Sequence, residues 1–430
     1  MLEFLSHLPD LSQRIGDKAE PPTFSMKSIK AFLDILGRPQ DRLKTVHVAG
    51  TNGKGSVIAF CAAVLQEQGY KVGTFTSPHT NGFLQGIRIN NQKISVSKAD
   101  ALLPSFMEAL KTIPEITLFE AQTALALIYF EQEQVDVAFI ETGLGGSFDA
   151  TNVVNPIVSV ITSIDLEHQA VLGETLSEIA EHKAGIIKAD TPLVLAVQPK
   201  EAREVIYKRA EELGVSISEL GVSLQVERSS LDLRGQELSL THGKYSNDLF
   251  IASLGHFQIE NAALAYAALN FLVEEGFEIN PEAFSSGFGS ASWPGRFELI
   301  DGKRRYILDA AHTSDAAAQL GRSLRELFPT ENVVAILGLS SDKNPEKLVQ
   351  PLANIVDHLV ITRSSHPRAA EPLQLREIIN NLGLDSTITQ DLSKAIEIAE
   401  SKGQEDQTIL VFGSVFLVEE IREILLPQQA

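Results

Sequence analysis

The chain has 430 residues, enough for two or three domains with substantial cores. Its 36 basic and 56 acidic residues leave a formal net charge of −20, which excludes non-specific binding to nucleic acid or to an anionic membrane. The one cysteine, Cys61, excludes an internal disulfide and a cysteine-built zinc site; no apolar run reaches about 18 residues, and the N-terminus lacks a basic-then-apolar leader.

Leu43-Lys44-Thr45-Val46-His47-Val48 is short and β-branched, with apolar residues at alternate positions, and predicts a strand over 44–49. The apolar spacing of Val57 to Gln68, stopped by Gly69, predicts a helix over 56–68, with Cys61 buried on its apolar face as a small hydrophobe. Between them lies Gly50-Thr51-Asn52-Gly53-Lys54-Gly55-Ser56. A glycine-rich turn in that setting offers an anion backbone N–H groups and the positive end of a helix dipole, to which the lysine adds a point charge and the serine a hydroxyl. The spacing departs from G-x-x-x-x-G-K-[ST], because Val48 stands at the first glycine and Gly55 separates Lys54 from Ser56. The turn still reads as a phosphate loop for ATP or a similar nucleotide.

Further along, the patterns predict a strand at 71–76, helices at 98–112 and 119–132, strands at 135–140 and 157–162, a helix at 175–187 and a strand at 192–197. Residues 221–253 alternate in short runs broken by Gly235 and Gly243, as in a small antiparallel meander, and Asn261 to Phe271 is an alanine-rich helix. Glycine, serine and proline cluster over 287–295, marking a boundary. Strands then follow at 304–309, 332–338, 357–362, 385–389 and 407–412, with helices at 314–327, 345–353, 373–382, 392–402 and 414–425 between and after them. The expected fold is α/β. A P-loop-containing, parallel-sheet N-terminal lobe with a small antiparallel insertion occupies 1–293, and a Rossmann-like C-terminal lobe occupies 294–430. Two such lobes usually place a site in the cleft between them.

Polar residues gather at the carboxyl ends of predicted strands, where open α/β sheets bind ligands. Glu141 precedes Gly143-Leu144-Gly145-Gly146 and suits Mg²⁺, which takes hard oxygens and shared phosphates. Ser77 and His79 follow the second strand, and His168 follows the strand at 157–162. The second lobe offers Arg296, Asp309, His312 and the Gly413-Ser414 turn. Phosphate loop, metal carboxylate and a second anion-binding lobe point to ATP-driven chemistry on a carboxylate; by spacing alone, a kinase or an ATPase fits equally well.

His47 to Val57 resembles the phosphate loop of the Mur-type ATP-dependent amide ligases, in the form typical of folylpolyglutamate synthase and dihydrofolate synthase. Further blocks follow in the family's order: Thr76-Ser77-Pro78-His79, Thr117-Leu118-Phe119-Glu120, Glu141 to Gly146, Asp149-Ala150-Thr151-Asn152, Lys183 to Lys188, Trp293-Pro294-Gly295-Arg296, and Gly413-Ser414-Val415-Phe416. The resemblance implies that Gly50 to Ser56 cradle the ATP phosphates, with Lys54 on the β/γ-phosphates and Asn261, Arg296 and Asp309 on the nucleotide. It implies two Mg²⁺ sites, one on Ser77 and Glu141 and one on His168 with Glu141. Lys183 matches a lysine that the family carbamylates into an oxygen ligand. Lys54, His168 and Lys183 thus form the implied catalytic set. Thr117, Phe119 and Asp149 match pterin-holding positions, and His312 and Ser414 match positions that place the incoming glutamate. The implied partners are small molecules, a pteroate or folate and glutamate, in a cytoplasmic monomer.

Several positions depart from the family pattern. Ser147-Phe148 stands where Arg-Leu is usual, Gln85-Gly86 stands in place of Glu-Arg, Glu167 replaces an aspartate, and Thr313-Ser314 replaces Asn-Pro. The departures lie near the substrates. They leave open a sister ligase with another acid or amino acid, and a degenerate ATP-binding homologue.

Overall fold

The structure, a computed structural model, describes residues 8–9, 25–77, 84–302 and 304–426. Its first sheet contains β1 (Thr45–Ala49), β2 (Val72–Phe75), β3 (Ile87–Ile89), β4 (Gln92–Lys93), β5 (Val137–Glu141), β6 (Val158–Ile161), β7 (Leu193–Leu195) and β8 (Ile217–Glu219). The order is β4-β3-β2-β5-β1-β6-β7-β8, parallel from β2 to β8, with β3 and β4 added antiparallel at one edge. Central strands β1, β5 and β6 are buried at every position; β5 runs apolar up to Glu141, whereas Thr45 and His47 in β1 and Ser159 in β6 are polar side chains buried in the sheet.

Helices in chain order are α1 (Lys27–Ile35), α2 (Lys54–Glu67), α3 (Val96–Ala101), α4 (Leu103–Thr112), α5 (Leu118–Gln132), α6 (Gln169–Leu172), α7 (Leu176–Ala184), α8 (Lys200–Leu213), α9 (Phe257–Glu274) and α10 (Pro281–Ser290). The single helix expected over 98–112 is two, because Pro104 in the first turn of α4 starts a new helix there. Helix α8 escapes the sequence pattern, since among its many charges only Ala202, Ile206 and Ala210 are buried. The meander exists as β9 (Leu224–Asp232), β10 (Gly235–His242) and β11 (Tyr245–Ile251), in the order β11-β10-β9.

The chain divides into two compact units. One holds the residues up to Ser229, Glu237–Ile251 and Glu260–Ala291; the other holds Ser230–Gln236, Ala252–Ile259 and the chain from Ser292. The change of unit at 291/292 falls within the small-residue cluster at 287–295, of which residues 287–290 belong to the first unit. They close α10, and Gly287 lets it lie against α2, where a Cβ would come within 2.4 Å of the Val64 Cα.

The second unit's sheet is built from β12 (Glu298–Asp301), β13 (Arg305–Asp309), β14 (Val333–Leu337), β15 (Val356–Ile361), β16 (Ser386–Ile388) and β17 (Ile409–Phe412), in the order β12-β13-β17-β14-β15-β16. Only β12 runs antiparallel. Its helices are α11 (Ser314–Leu327), α12 (Pro345–Val349), α13 (Pro372–Ile379), α14 (Leu392–Lys402) and α15 (Val415–Leu425). Alternate residues of β14 feed two cores: Ala335 and Leu337 join Leu320 and Leu324, while Val334 and Ile336 join Leu417 and Ile421. A sheet covered on both faces in this way is doubly wound.

Gly287→Ala is expected to destabilise the first unit by about 2 kcal/mol through overpacking against the α2 backbone. Urea unfolding checks it, and an unchanged midpoint would show that α10 can shift without cost.

Candidate functional site

The phosphate loop leaves β1 and is clamped to the segment after β6. The Thr51 N–H donates to the Ser163 carbonyl at 2.7 Å, and the Asp165 N–H donates to Thr51 Oγ1 at 3.1 Å. Asn52 bridges Ser163 in antiparallel fashion. Gly50 has φ +144°, and a Cβ there would lie 1.8 Å from Thr162 Oγ1, so only glycine fits. A Cβ on Gly53 would lie 2.2 Å from Asn261 Oδ1, which places Asn261 of α9 directly against the loop. Gly53 caps α2 in the left-handed region; Lys54, Gly55 and a buried Ser56 form the helix's first turn, whose N–H groups have no acceptor within the helix.

Two lysines converge on one carbonyl. Lys54 Nζ donates to the carbonyls of Gly50 at 3.1 Å and Thr51 at 3.2 Å, and lies 3.7 Å from Glu141 Oε1. Lys183 Nζ, in the last turn of α7, donates to the same Gly50 carbonyl at 2.6 Å. Burial lowers the Lys183 pKa to about 7, helped by Lys54 and opposed by Glu167 and Asp149. Glu141 is itself buried at the end of β5, and its Oε2 accepts the Ser77 N–H at 3.2 Å. His168 sits at φ +52° ahead of α6, its Nε2 3.6 Å from Glu167 Oε1. Gly50, Lys54, Gly143, Glu167, His168 and Lys183 line one cleft, so sites scattered over more than 130 residues meet at the carboxyl end of the sheet. His79 lies outside the described residues.

The glycine-rich turn after β5 carries the third group of residues. The buried Asp149 accepts the Leu144 N–H at 2.7 Å and the Thr151 N–H at 3.0 Å. Burial raises the Asp149 pKa, and these donors oppose the rise. Thr117 is the N-cap of α5 in a capping box with Glu120, and Phe119 stacks on Phe75 with ring centroids 5.7 Å apart. Ser147 backs onto α7, its N–H and Oγ both donating to the His182 carbonyl at 2.7 and 3.2 Å. Phe148 beside it is half exposed. Sequence reasoning gives no role of its own to Thr151, whose hydroxyl meets His47 from 104 residues away.

In the second unit, Asp309 ends β13 buried, accepting the N–H groups of Phe297 and Ala311, each at 2.8 Å. Burial raises its pKa, against the attraction of Arg296 and His312. Arg296 donates to the Gly295 carbonyl at 3.0 Å, and His312 Nδ1 lies 2.9 Å from the Ala310 carbonyl. Ser414 caps α15, accepting the Phe416 N–H at 3.2 Å. Arg296, Asp309 and His312 thus form one local group at the end of β13, and Ser414 stands at the end of the adjacent β17.

Two families of known proteins match the chain: the Mur ligase middle domain over residues 48–269 and the Mur ligase glutamate ligase domain over residues 295–415. A dihydrofolate synthase/folylpolyglutamate synthase of Bacillus subtilis is 35% identical over 407 residues, 92% of this chain and 94% of the relative. Among solved structures, E. coli FolC in complex with DHPP and ADP superposes with a TM-score of 0.88 at 29% identity, covering 100% of this chain and 97% of that one. Mycobacterium tuberculosis folylpolyglutamate synthase complexed with ADP and AMPPCP gives 0.87 at 29% identity, covering 94% and 96%.

The depressed Lys183 pKa has a consequence for stability. Between about pH 7 and the ordinary lysine value of 10.5, the unfolded chain holds a proton on Lys183 that the folded chain has lost. Stability therefore rises with pH across that window, and the penalty is fully present below it. In carbonate-free buffer, the wild type is expected to gain on Lys183→Met as pH rises from 7 to 9 in paired urea melts. A difference independent of pH would mean the buried amine is not titrating there.

Proposed function

The chain belongs to the Mur ligase family, and on that premise we propose that it joins L-glutamate to the carboxylate of dihydropteroate, of a folate, or of both, at the expense of ATP. The observation that carries the reading is the convergence of Lys54 and Lys183 on the Gly50 carbonyl, beside the buried Glu141 and at the head of α2. Loop N–H groups and the helix terminus suit the phosphates of ATP, as does the Lys54 ammonium. Gly50, Thr51, Asn52, Gly53, Lys54, Gly55, Ser56 and Asn261 are assigned to the nucleotide in the first unit, and Arg296 and Asp309 in the second. Thr117, Phe119 and Asp149 are assigned to the acid, and His312 and Ser414 to the glutamate. Residues 1–293 form the ATP-binding ligase domain in this reading, and 294–430 the glutamate-ligase domain.

The acid's carboxylate attacks the γ-phosphorus, its oxygen bonding to phosphorus as ADP leaves. Lys54 offsets the charge that develops on the transferred group. The glutamate amine then attacks the acyl carbon, the amide C–N bond forms, inorganic phosphate departs and the amine loses its proton. Splitting the condensation in two gives each step a good leaving group.

Mg²⁺ fits the donors present. Glu141 is a buried hard carboxylate tied to Ser77, and magnesium sites typically combine one or two carboxylates with substrate phosphates. Ser77 with Glu141 would hold one ion, and His168 with Glu141 and Lys183 a second. Bound there, the ions would neutralise phosphate charge as Lewis acids. As an ammonium, Lys183 beside Lys54 repels a cation. Its pKa of about 7 leaves much of the amine neutral at that pH, the form that adds CO₂ to give a carbamate. The proposal includes a cytoplasmic location, supported by the single buried thiol Cys61, and a monomeric state. Among the described residues, no helix is long and apolar enough to cross a membrane.

A sister specificity has one observation in its favour: Ser147, which donates to the His182 carbonyl, stands where the family places arginine. Phosphate release with MgATP and glutamate, with and without dihydropteroate or tetrahydrofolate, separates the two. Pterin-dependent release with a product heavier by one glutamyl unit is expected, and Lys54→Ala is expected to abolish it with the fold intact. Nucleotide binding without pterin-dependent turnover would move the search to other acids and amines. Lys183→Ala is expected to lose ligation and regain part of it with added acetate or formate; full activity without rescue would show that no carbamate is needed.

A further inference from the structure

Three buried side chains outside the cleft form a directed chain. His47 lies wholly buried in β1, three residues ahead of Gly50, and its Nε2 is 2.8 Å from Thr151 Oγ1. The Thr151 hydroxyl in turn bonds Asp149 Oδ1, the carboxylate that also takes the Leu144 and Thr151 N–H groups. A threonine hydroxyl has one proton to give. With that proton on Asp149, the oxygen accepts from His47, so Nε2 carries the hydrogen. Among the described residues, His47 Nδ1 is buried with no hydrogen-bond partner. An unpaired nitrogen lone pair there is less costly than an unpaired N–H, which assigns the same tautomer independently.

We propose that His47, neutral and protonated on Nε2, is the positioning residue for Asp149, acting through the Thr151 hydroxyl. The chain of donors fixes the carboxylate's rotamer and polarises each bond towards it. It also ties the strand that launches the phosphate loop to the turn assigned to the acid substrate. Asn152 extends the connection, donating to the Ser147 and Gly185 carbonyls, each at 3.1 Å, and so reaching the end of the helix that bears Lys183. Burial, with Lys188 nearby, lowers the His47 pKa to about 3, which agrees with a neutral ring throughout the working range. The effect on acid binding rests on the assignment of Asp149 made above; the relay itself does not.

Long-range ¹H–¹⁵N spectra of the full chain at pH 7 test the tautomer: Nε2 protonated and Nδ1 bare is expected, and a protonated Nδ1 or an imidazolium would overturn the proposal. In Thr151→Val, which keeps the shape and removes the hydroxyl, the His47 nitrogen resonances are expected to shift; unchanged signals would overturn it as well. Kinetics then test the role. His47→Gln can set an amide N–H near the position of Nε2, whereas His47→Asn is too short to reach Thr151. H47N and T151V are expected to raise the KM for the pterin acid about tenfold, with kcat and the KM for ATP within about twofold, while H47Q stays near wild type. Equal losses in H47Q and H47N, or losses confined to kcat or thermal stability, would reduce His47 to core packing. If the wild type turns over no pterin acid, the folate reading fails, and the nitrogen spectra still decide the relay.

Discussion

The Gly50 carbonyl is the point on which the first unit's chemistry turns. It accepts hydrogen bonds from two lysines far apart in sequence, one opening α2 and one closing α7. Two ammonium groups sharing one acceptor in a mostly dry setting repel each other, and desolvating an unpaired ammonium costs several kcal/mol. Glu141 and Glu167 offset part of that cost, and the depressed Lys183 pKa records what is left over. Lysines and carboxylates thus meet at one site, in a chain whose net charge is −20. An anionic nucleotide depends on the loop N–H groups, the head of α2 and Lys54, because the net charge of the chain opposes its approach.

The close approach behind this arrangement depends on the absence of side chains. Gly50 can bring its carbonyl between the lysines only because nothing stands between its Cα and Thr162. The loop is then locked by Thr51, whose N–H and hydroxyl both bond the segment after β6. On the other side, Ser147 and Asn152 hold the glycine-rich turn to the end of α7. The loop, the turn and the lysine helix are therefore held to one another by hydrogen bonds, which helps keep the charged side chains in one geometry. The second unit repeats the scheme on a smaller scale: Asp309 uses both carboxylate oxygens to fix the backbone around Arg296 and His312.

Much of this was legible in the chain. The strand, the glycine-rich turn and the helix around Lys54 are local, and their periodicities and stop signals lie within about 25 residues. The alternation of strands and helices after residue 300 gave the doubly wound second unit for the same reason. Reading failed where local pattern and tertiary context disagreed. Helix α8 shows too narrow an apolar stripe among its charges to announce itself, and nothing local tells that Gly287, inside a cluster that marks a boundary, also lets α10 approach α2.

By itself the sequence determined most of the elements, α8 aside, and which chemical groups stand at the strand ends, since both follow from short-range periodicity and residue chemistry. Only the tertiary structure decided that Lys183 and Lys54 share one carbonyl, that Asn261 packs against Gly53, and that His47 reaches Asp149 through Thr151. Those pairings join residues up to about 200 positions apart. A parallel sheet brings the ends of β1, β5 and β6 side by side whatever their distance in the chain, and no local pattern records which side chains then meet.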